Sequence, residues 1–275
     1  MDILLKLFPA PPEPVSLQGL YLSQALRERG SKRRPFVYTN FIASLDGRIA
    51  LQDPKTGEHL VPKAIANPCD WRLFQELATQ ADALITSGRY IRQLARGSAQ
   101  DILPLSEKPD YEDLFSWRHA QGLAPQPAVV IISASLDIPF PGVLLGNDRP
   151  IYVATGAEAN RARVRAIEKR GARVLFAGAG RRVQGRALIE ALGQEGFTTL
   201  YSIAGPEILE TLLLDRVLDR LYLTQAHRML GNKSFDTLLK GTYLLTPRDL
   251  KLQALYYAAV SAEGPEQTFA VYECA

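Results

Sequence analysis

The sequence predicts an α/β fold: a mixed β-sheet with helices on both faces, finished by an antiparallel hairpin. Two observations carry that expectation. From Pro35 onward, short runs rich in β-branched and aromatic residues alternate with stretches of helical period, the pattern of successive βα units. The last third then changes to strands divided by turn residues, which adds antiparallel pairs to a parallel sheet. With 275 residues, 47% hydrophobic and 22% charged, the chain can bury a sizeable core in one large domain or two small ones.

Residues 1–35 read as an N-terminal arm ahead of a main domain over 36–275. Pro9, Pro11, Pro12 and Pro14 make an extended piece, a short helix is expected over 17–29, and Lys32-Arg33-Arg34 follows. That basic run is a solvated turn or, alternatively, a phosphate or partner contact. Residues 37–42 form a strand. Asn67-Pro68 supplies a helix N-cap and a first-turn proline, and Trp71, Phe74, Leu77 and Ala78 share one helical face. A buried strand over 83–86 leads into a charged stretch, 92–127, expected as a long loop with a short helix over 111–119. Strands over 129–132, 151–154, 174–176 and 199–203 are joined by helices over 158–170 and 186–195. The helix opening at Gly205-Pro206 carries Ile208, Leu209, Leu212 and Leu213 on one side. Strands over 220–224, 242–245, 250–260 and 268–272 complete the pattern, with Gly264-Pro265 in the last turn.

Composition narrows the function. A net charge of +3 gives no support to a nucleic-acid binder, which concentrates basic residues on one face. The two cysteines, Cys69 and Cys274, suit a reduced cytoplasmic protein better than a disulfide framework. The N-terminus lacks the layout of a secretory signal, and no run of about 18 apolar residues suggests a membrane span. His59, His119 and His227 are not spaced as metal ligands, and neither CxxC, HExxH nor GxSxG occurs. If the chain is an enzyme, a bound cofactor must bring the reactivity.

Four segments could form a site. Ser44-Leu45-Asp46-Gly47-Arg48 follows a strand, where α/β sheets bind ligands, and Gly47 allows a tight turn or a close approach. The bland alternative is a plain turn in which Asp46 satisfies backbone amides. Ala204-Gly205-Pro206-Glu207 passes from strand to helix, so its amides form either an anion site or a simple tight connection. Thr86-Ser87-Gly88-Arg89 can hold a ribose 2′-phosphate or cap the next helix. Gly178-Ala179-Gly180-Arg181-Arg182 lacks the third glycine of a dinucleotide fingerprint and reads as a mobile basic loop.

Three segments taken in order, VYTNFIASLDGRIA (37–50), NPCDWRLFQELATQADALITS (67–87) and LYSIAGPEILETLLLDRVLDRLYLTQAHRMLG (200–231), resemble the pyrimidine reductase family of riboflavin biosynthesis. The resemblance spans roughly residues 36–272. It implies a dihydrofolate-reductase-like fold, a homodimer, and NADPH-dependent reduction of 5-amino-6-(5-phosphoribosylamino)uracil to its ribityl form. It implies further that Ala43, Thr86, Ser133, Gly205, Pro206, Glu207, Ile208 and Leu209 face the cofactor. Ser44, Asp46 and Arg72 would face the pyrimidine and ribose phosphate, with Asp46 catalytic. Arginine suits such a phosphate through its planar fork. The chain departs from the family at Asn40, where lysine is frequent, at Ile203, where glutamate is frequent, and over 90–96, with Asp101 further on. It also lacks the H-x-E and P-C-x-x-C motifs of a fused deaminase. Two alternatives follow: a same-fold NADPH reductase of a different small substrate, and a nucleotide-binding module without turnover.

Overall fold

The computed structural model describes residues 3–99, 102–103, 105–145, 149–239, 244, 247–259 and 264–274. The strand expected over 242–245 lies outside them except for Leu244, and Asp101 lies outside them altogether. An N-terminal hairpin, β1 (Ile3–Phe8) and β2 (Glu13–Ser16), precedes β3 (Phe36–Ser44). The short strands β4 (Ala50–Gln52) and β5 (His59–Leu60) lead into α1 (Pro68–Gln80). Next come β6 (Ala83–Ser87), α2 (Gly88–Ala95), α3 (Glu112–Ala120), β7 (Ala128–Ile132) and α4 (Gly142–Leu145). β8 (Ile151–Thr155), α5 (Arg161–Glu168), β9 (Arg173–Phe176), α6 (Gly185–Gln194) and β10 (Thr199–Ser202) follow. The chain continues through α7 (Pro206–Leu214), β11 (Arg220–Ala226), β12 (Phe235–Asp236), β13 (Leu250–Ala258) and β14 (Gln267–Cys274).

Among the described residues eleven strands make one sheet, in the order β2-β1-β13-β14-β11-β3-β10-β6-β7-β8-β9. From β11 to β9 every neighbouring pair is parallel, while β14, β13, β1 and β2 add antiparallel strands at the other end. A three-stranded sheet, β12-β4-β5, stands apart as a flap. The expected mixed sheet, its helices and its closing hairpin are all present.

β3 shows why the sequence folds this way. Alternate side chains point to opposite faces of a strand. Val37, Phe41 and Ala43 enter a core with Leu188 and Leu192 of α6 and Leu209 and Leu212 of α7. Phe36 and Tyr38 enter another with Leu73, Phe74 and Leu77 of α1. A strand covered on both faces reads as a nearly unbroken apolar run, as this one does.

The segment before Pro35 differs from a simple arm. β1 pairs with β13 and so extends the main sheet. The helix expected over 17–29 is two single 3-10 turns, Leu22–Gln24 and Leu26–Arg29, with Ala25 between them at φ 47°. Side chains of α1 explain the difference. Glu76 accepts the N–H groups of Gly19 and Tyr21 at 2.6 and 2.8 Å. Gln80 accepts from the Leu26 N–H at 3.0 Å and donates to the Tyr21 carbonyl at 2.9 Å. Buried backbone groups need partners, and here α1 provides the ones a helix would have provided internally. The stretch over 92–127 also begins later than expected, because α2 runs on to Ala95 once the Ser87 hydroxyl accepts the Tyr90 N–H.

Candidate active site at the strand tips

β3 and β10 lie side by side and parallel, but the chain leaves them in opposite directions. α1, after β3, packs in the core beneath Phe36 and Tyr38, while α7, after β10, packs in the core on the other face. β6, the other neighbour of β10, leads into α2 on the α1 side. Where neighbouring strands feed opposite faces, a crevice opens beyond their carboxyl ends. The segments around Asp46, Gly205, Ser87 and Ser133 all follow the carboxyl ends of these parallel strands.

At the tip of β3 the backbone makes a tight turn, with Gly47 at φ 77° and its N–H bonded to the Ser44 carbonyl at 2.9 Å. Asp46 accepts the Ser44 hydroxyl, the N–H groups of Leu230 and Gly231 at 3.1 and 2.9 Å, and the Arg48 guanidinium at 2.6 Å. The Ser44 hydroxyl, the Gly231 and Leu230 amides and the nearby Arg48 charge hold its pKa down at about 2. Asp46 is therefore a permanent anion that ties this turn to the turn after β11. The flap continues the same tie: the Ile49 N–H meets the Asp236 carbonyl at 2.9 Å, and His59 Nδ1 lies 2.8 Å from Asp236.

At the tip of β10, Gly205 is exposed and caps α7 without any side-chain bond to the helix. A methyl group on its Cα would meet nothing within 4 Å, so space lies open beside it. Pro206 occupies the first helical position and Glu207 the first turn, whereas Ile208 and Leu209 turn their side chains into the core with Ala43. The Ile208 and Leu209 N–H groups turn back to the Gly205 carbonyl at 3.1 and 3.3 Å. Thr86 is buried in β6, and the Ser133 hydroxyl, beyond β7, accepts the Leu136 N–H at 3.1 Å. A side chain at Gly88 would stand 3.1 Å from that hydroxyl, so the β6 and β7 tips are in contact.

Arg72 is placed differently from what a phosphate-binding fork requires. It is 7% exposed. Its guanidinium bonds Glu76 at 2.9 Å, the Asp110 carbonyl at 3.1 Å and the Asp113 carboxylate at 3.0 Å. Burial opposes its charge, but Asp113 and Glu76 raise its pKa on balance. The loop 178–182, read as mobile, is closely built: a Cβ at Gly178 would fall 2.3 Å from the Arg182 carbonyl oxygen, and Gly178 accepts the Ala157 N–H at 2.8 Å.

The structure adds polar groups that no motif marked. Tyr201 of β10 donates its hydroxyl to Asn40 of β3 at 2.5 Å. On the same face, burial at the start of α1 pushes the Asp70 carboxyl up to about 6. Ile203, which carries no polar group, packs among apolar residues of that face. Asp70 lies inside the segment 67–87, yet one aspartate in a helical first turn reads as an ordinary helix-dipole partner, so nothing local distinguishes it. Among the described residues no three His, Cys, Asp or Glu gather as a metal site, and no helix is long and apolar enough to cross a membrane.

A family model described as the RibD C-terminal domain matches residues 35–261. A 2,5-diamino-6-ribosylamino-4(3H)-pyrimidinone 5′-phosphate reductase of Archaeoglobus fulgidus is 24% identical over 213 residues, covering 77% of this chain and 89% of that protein. Among solved structures, a pyrimidine reductase-like protein of Corynebacterium diphtheriae superposes with a TM-score of 0.66 at 18% identity, covering 88% of this chain and 92% of the other. The riboflavin biosynthesis reductase Rib7 of Saccharomyces cerevisiae does so with a TM-score of 0.64 at 14% identity, covering 94% and 100%. At these identities the two superpositions establish a shared fold.

Proposed function

The chain belongs to the RibD C-terminal domain family, and from that premise we propose that it reduces the ribosyl group of a phosphoribosylamino-pyrimidine to the ribityl chain, with NADPH, in riboflavin biosynthesis. The crevice between the oppositely routed tips of β3 and β10 carries this reading. It offers what two planar reactants need: one wall at the Gly205 backbone and another at the turn fixed by Asp46.

The residues present fit a nicotinamide dinucleotide. Gly205 leaves open space where a side chain would stand. The Ser202 hydroxyl, buried three residues earlier, has no protein partner. The α7 N-terminus is uncapped by side chains, a position that favours a diphosphate. Gly205, Pro206 and Glu207, the backbone of Ile208, Leu209 and Ala43, and the Thr86 and Ser133 tips would hold it. When bound, the nicotinamide supplies the hydride. The protein's own part is to align the sugar carbon and exclude water. Ser44 and Asp46 fix the wall on the substrate side, while Arg72 ties α1 to α3 through Asp113.

A reductase of another small substrate is favoured by one observation: Asn40 is engaged by Tyr201 and Ile203 is apolar, so that side of the crevice carries little charge. We further infer a cytoplasmic homodimer, with residues 36–275 as the reductase domain and the first 35 docked on it. The exposed apolar end of the sheet supports the dimer: Leu5 of β1 pairs with Tyr257 of β13, and Ile3 is 68% and Leu5 39% exposed.

The test is NADPH oxidation followed by absorbance, with the ribosylamino-pyrimidine phosphate, its deaminated form, and a panel of aldehydes and pterins. Turnover of either pyrimidine establishes the reading. Turnover of a panel member alone selects the second reading, and binding of NADPH with no turnover selects the non-catalytic module.

A further inference from the structure

Ile91 of α2, Ile138 of the segment that follows β7 and Ile167 of α5 share one core with Val129 and Ile131 of β7. Arg92 of α2 donates to the Asp137 carbonyl at 2.8 Å, and Arg163 of α5 to the Ser135 carbonyl at 2.7 Å. The segment 134–141 is thus held between the two helices, and a cavity of about 630 Å³ opens beside it. Arg92 and Arg96 line it with Arg170, which follows α5, and with Asp137, Pro139 and Phe140. Its size falls within the range of small-molecule sites. None of the residues assigned above to cofactor or substrate is in the lining.

Three guanidinium groups share this cavity. Arg92 and Arg96 stand four residues apart and so project from one side of the helix, where like charges repel. Each of the three is fixed along one edge only. Arg92 bonds the Asp137 carbonyl, and Arg96, 58% exposed, pairs with Glu58 ahead of β5. Arg170 lies over the Phe140 ring, 5.4 Å from its centre. A guanidinium carries five N–H donors, so most donors around the cavity have no protein acceptor among the described residues. Asp137 is the one acid in the described lining. Even with Glu58 counted, the three arginines leave a positive excess.

We propose that this cavity binds a small phosphate monoester, its phosphate against Arg92, Arg96 and Arg170 and its carbon body against Pro139 and Phe140. The planar fork of arginine matches a pair of phosphate oxygens, and bonds between ionised partners are the strong ones. Three forks suit a dianion with three free oxygens better than a carboxylate with two. Glu58 is the internal competitor. It also accepts the Ser98 hydroxyl at 2.6 Å, so it can release Arg96 to a ligand and keep a partner of its own. The residues involved are not those of the crevice, and the proposal stands apart from the reductase reading.

The experiment titrates the cofactor-free chain with phenyl phosphate, inorganic phosphate and phenol, by calorimetry and by amide spectra of Phe140 and Gly205. Phenyl phosphate should bind more tightly than inorganic phosphate, and phenol should not bind. The Phe140 amide should move while Gly205 stays. Arg96→Gln and Arg170→Gln should each weaken phenyl phosphate by about tenfold, the loss of one bond from a charged donor. Glu58→Gln should tighten it, a gain that a misfolded chain cannot give. Added NADPH should leave the affinity unchanged. Displacement by NADPH would give these arginines to the cofactor's own phosphates and overturn the proposal. So would an affinity indifferent to Arg170→Gln, spectra in which Gly205 moves and Phe140 does not, or phenyl phosphate binding no better than inorganic phosphate. Absence of binding at millimolar concentration overturns it as well, and none of these outcomes touches the turnover of a pyrimidine.

Discussion

The carboxylate of Asp46 accepts the backbone N–H of Gly231 at 2.9 Å, across 185 residues of chain. It joins the turn after β3 to the turn after β11, and the Leu45 N–H repeats the tie at the Arg228 carbonyl, 2.9 Å away. The most motif-like residue of the sequence is thus an architectural anion. One wall of the crevice depends on its charge.

Asp46→Asn should loosen that wall. An amide lacks the charge that strengthens bonds from backbone N–H groups and an arginine. Amide hydrogen exchange at Leu230 and Gly231 should accelerate at least about tenfold, with substrate KM rising more than kcat falls. In wild type the same tie should be intact above about pH 4. It should weaken as the pH falls from the ordinary 3.8 through about 2, because a lowered folded pKa confers stability that acid removes. Unchanged exchange at both amides would show that the turn closes without the carboxylate.

Arg72→Ala should act first on stability. It leaves Glu76, fully buried, with only two backbone amides, and burial already raises that carboxyl's pKa. Removing one partner of a buried pair costs about 3–5 kcal/mol, read by urea unfolding, and Glu76→Gln in the same chain should recover part of it. Near-normal stability with a large rise in substrate KM would instead return Arg72 to the phosphate.

Much of this was legible before the structure. The alternation after Pro35 showed in β3, β6 and β7 because strands buried on both faces leave apolar runs. Asn67 and Ser87 announce α1 and α2 through the capping chemistry of single residues, although the sequence at Ser87 suits a ribose 2′-phosphate as well. The flap strands β4, β5 and β12 are two or three residues long, too short to show any period. The N-terminal turns stayed hidden because their hydrogen-bond partners, Glu76 and Gln80, lie over 50 residues away. The raised Asp70 carboxyl is unreadable for the same reason, because the burial that raises it is set by distant strands.

Gly205 and Gly178 should respond oppositely to alanine. At Gly205 the φ of −75° suits any residue and no atom lies within 4 Å of the added methyl, so the fold should gain a few tenths of a kcal/mol or stay unchanged. If the cofactor passes against that backbone, its Kd should rise about tenfold. At Gly178 the methyl would meet the Arg182 carbonyl oxygen at 2.3 Å, and overpacking of that kind costs about 1–3 kcal/mol. Calorimetric titration with NADPH beside thermal melts separates the two. Gly205→Ala binding as tightly as wild type would move the cofactor away from α7.

The exposed apolar end of the sheet makes its own prediction. Leu5→Glu together with Leu255→Glu places two charges beside Tyr257, where a second copy would desolvate them. Sedimentation at micromolar concentration should give a dimer for wild type and a monomer for the double variant. A monomeric wild type removes the dimer.

Stability against pH probes Asp70 without any ligand. Its folded pKa of about 6 lies above the ordinary 3.8, so the folded chain holds this proton more tightly than the unfolded chain does. Its contribution is therefore greatest below about pH 4 and is lost as the pH rises through about 6, the reverse of Asp46. A shift of about two units corresponds to at most roughly 3 kcal/mol. Asp70→Asn is neutral at every pH, so relative to wild type it should gain on the order of 2 kcal/mol between pH 4 and pH 8 in urea unfolding. A difference that stays flat over that span would mean the carboxyl is already ionised in the folded chain.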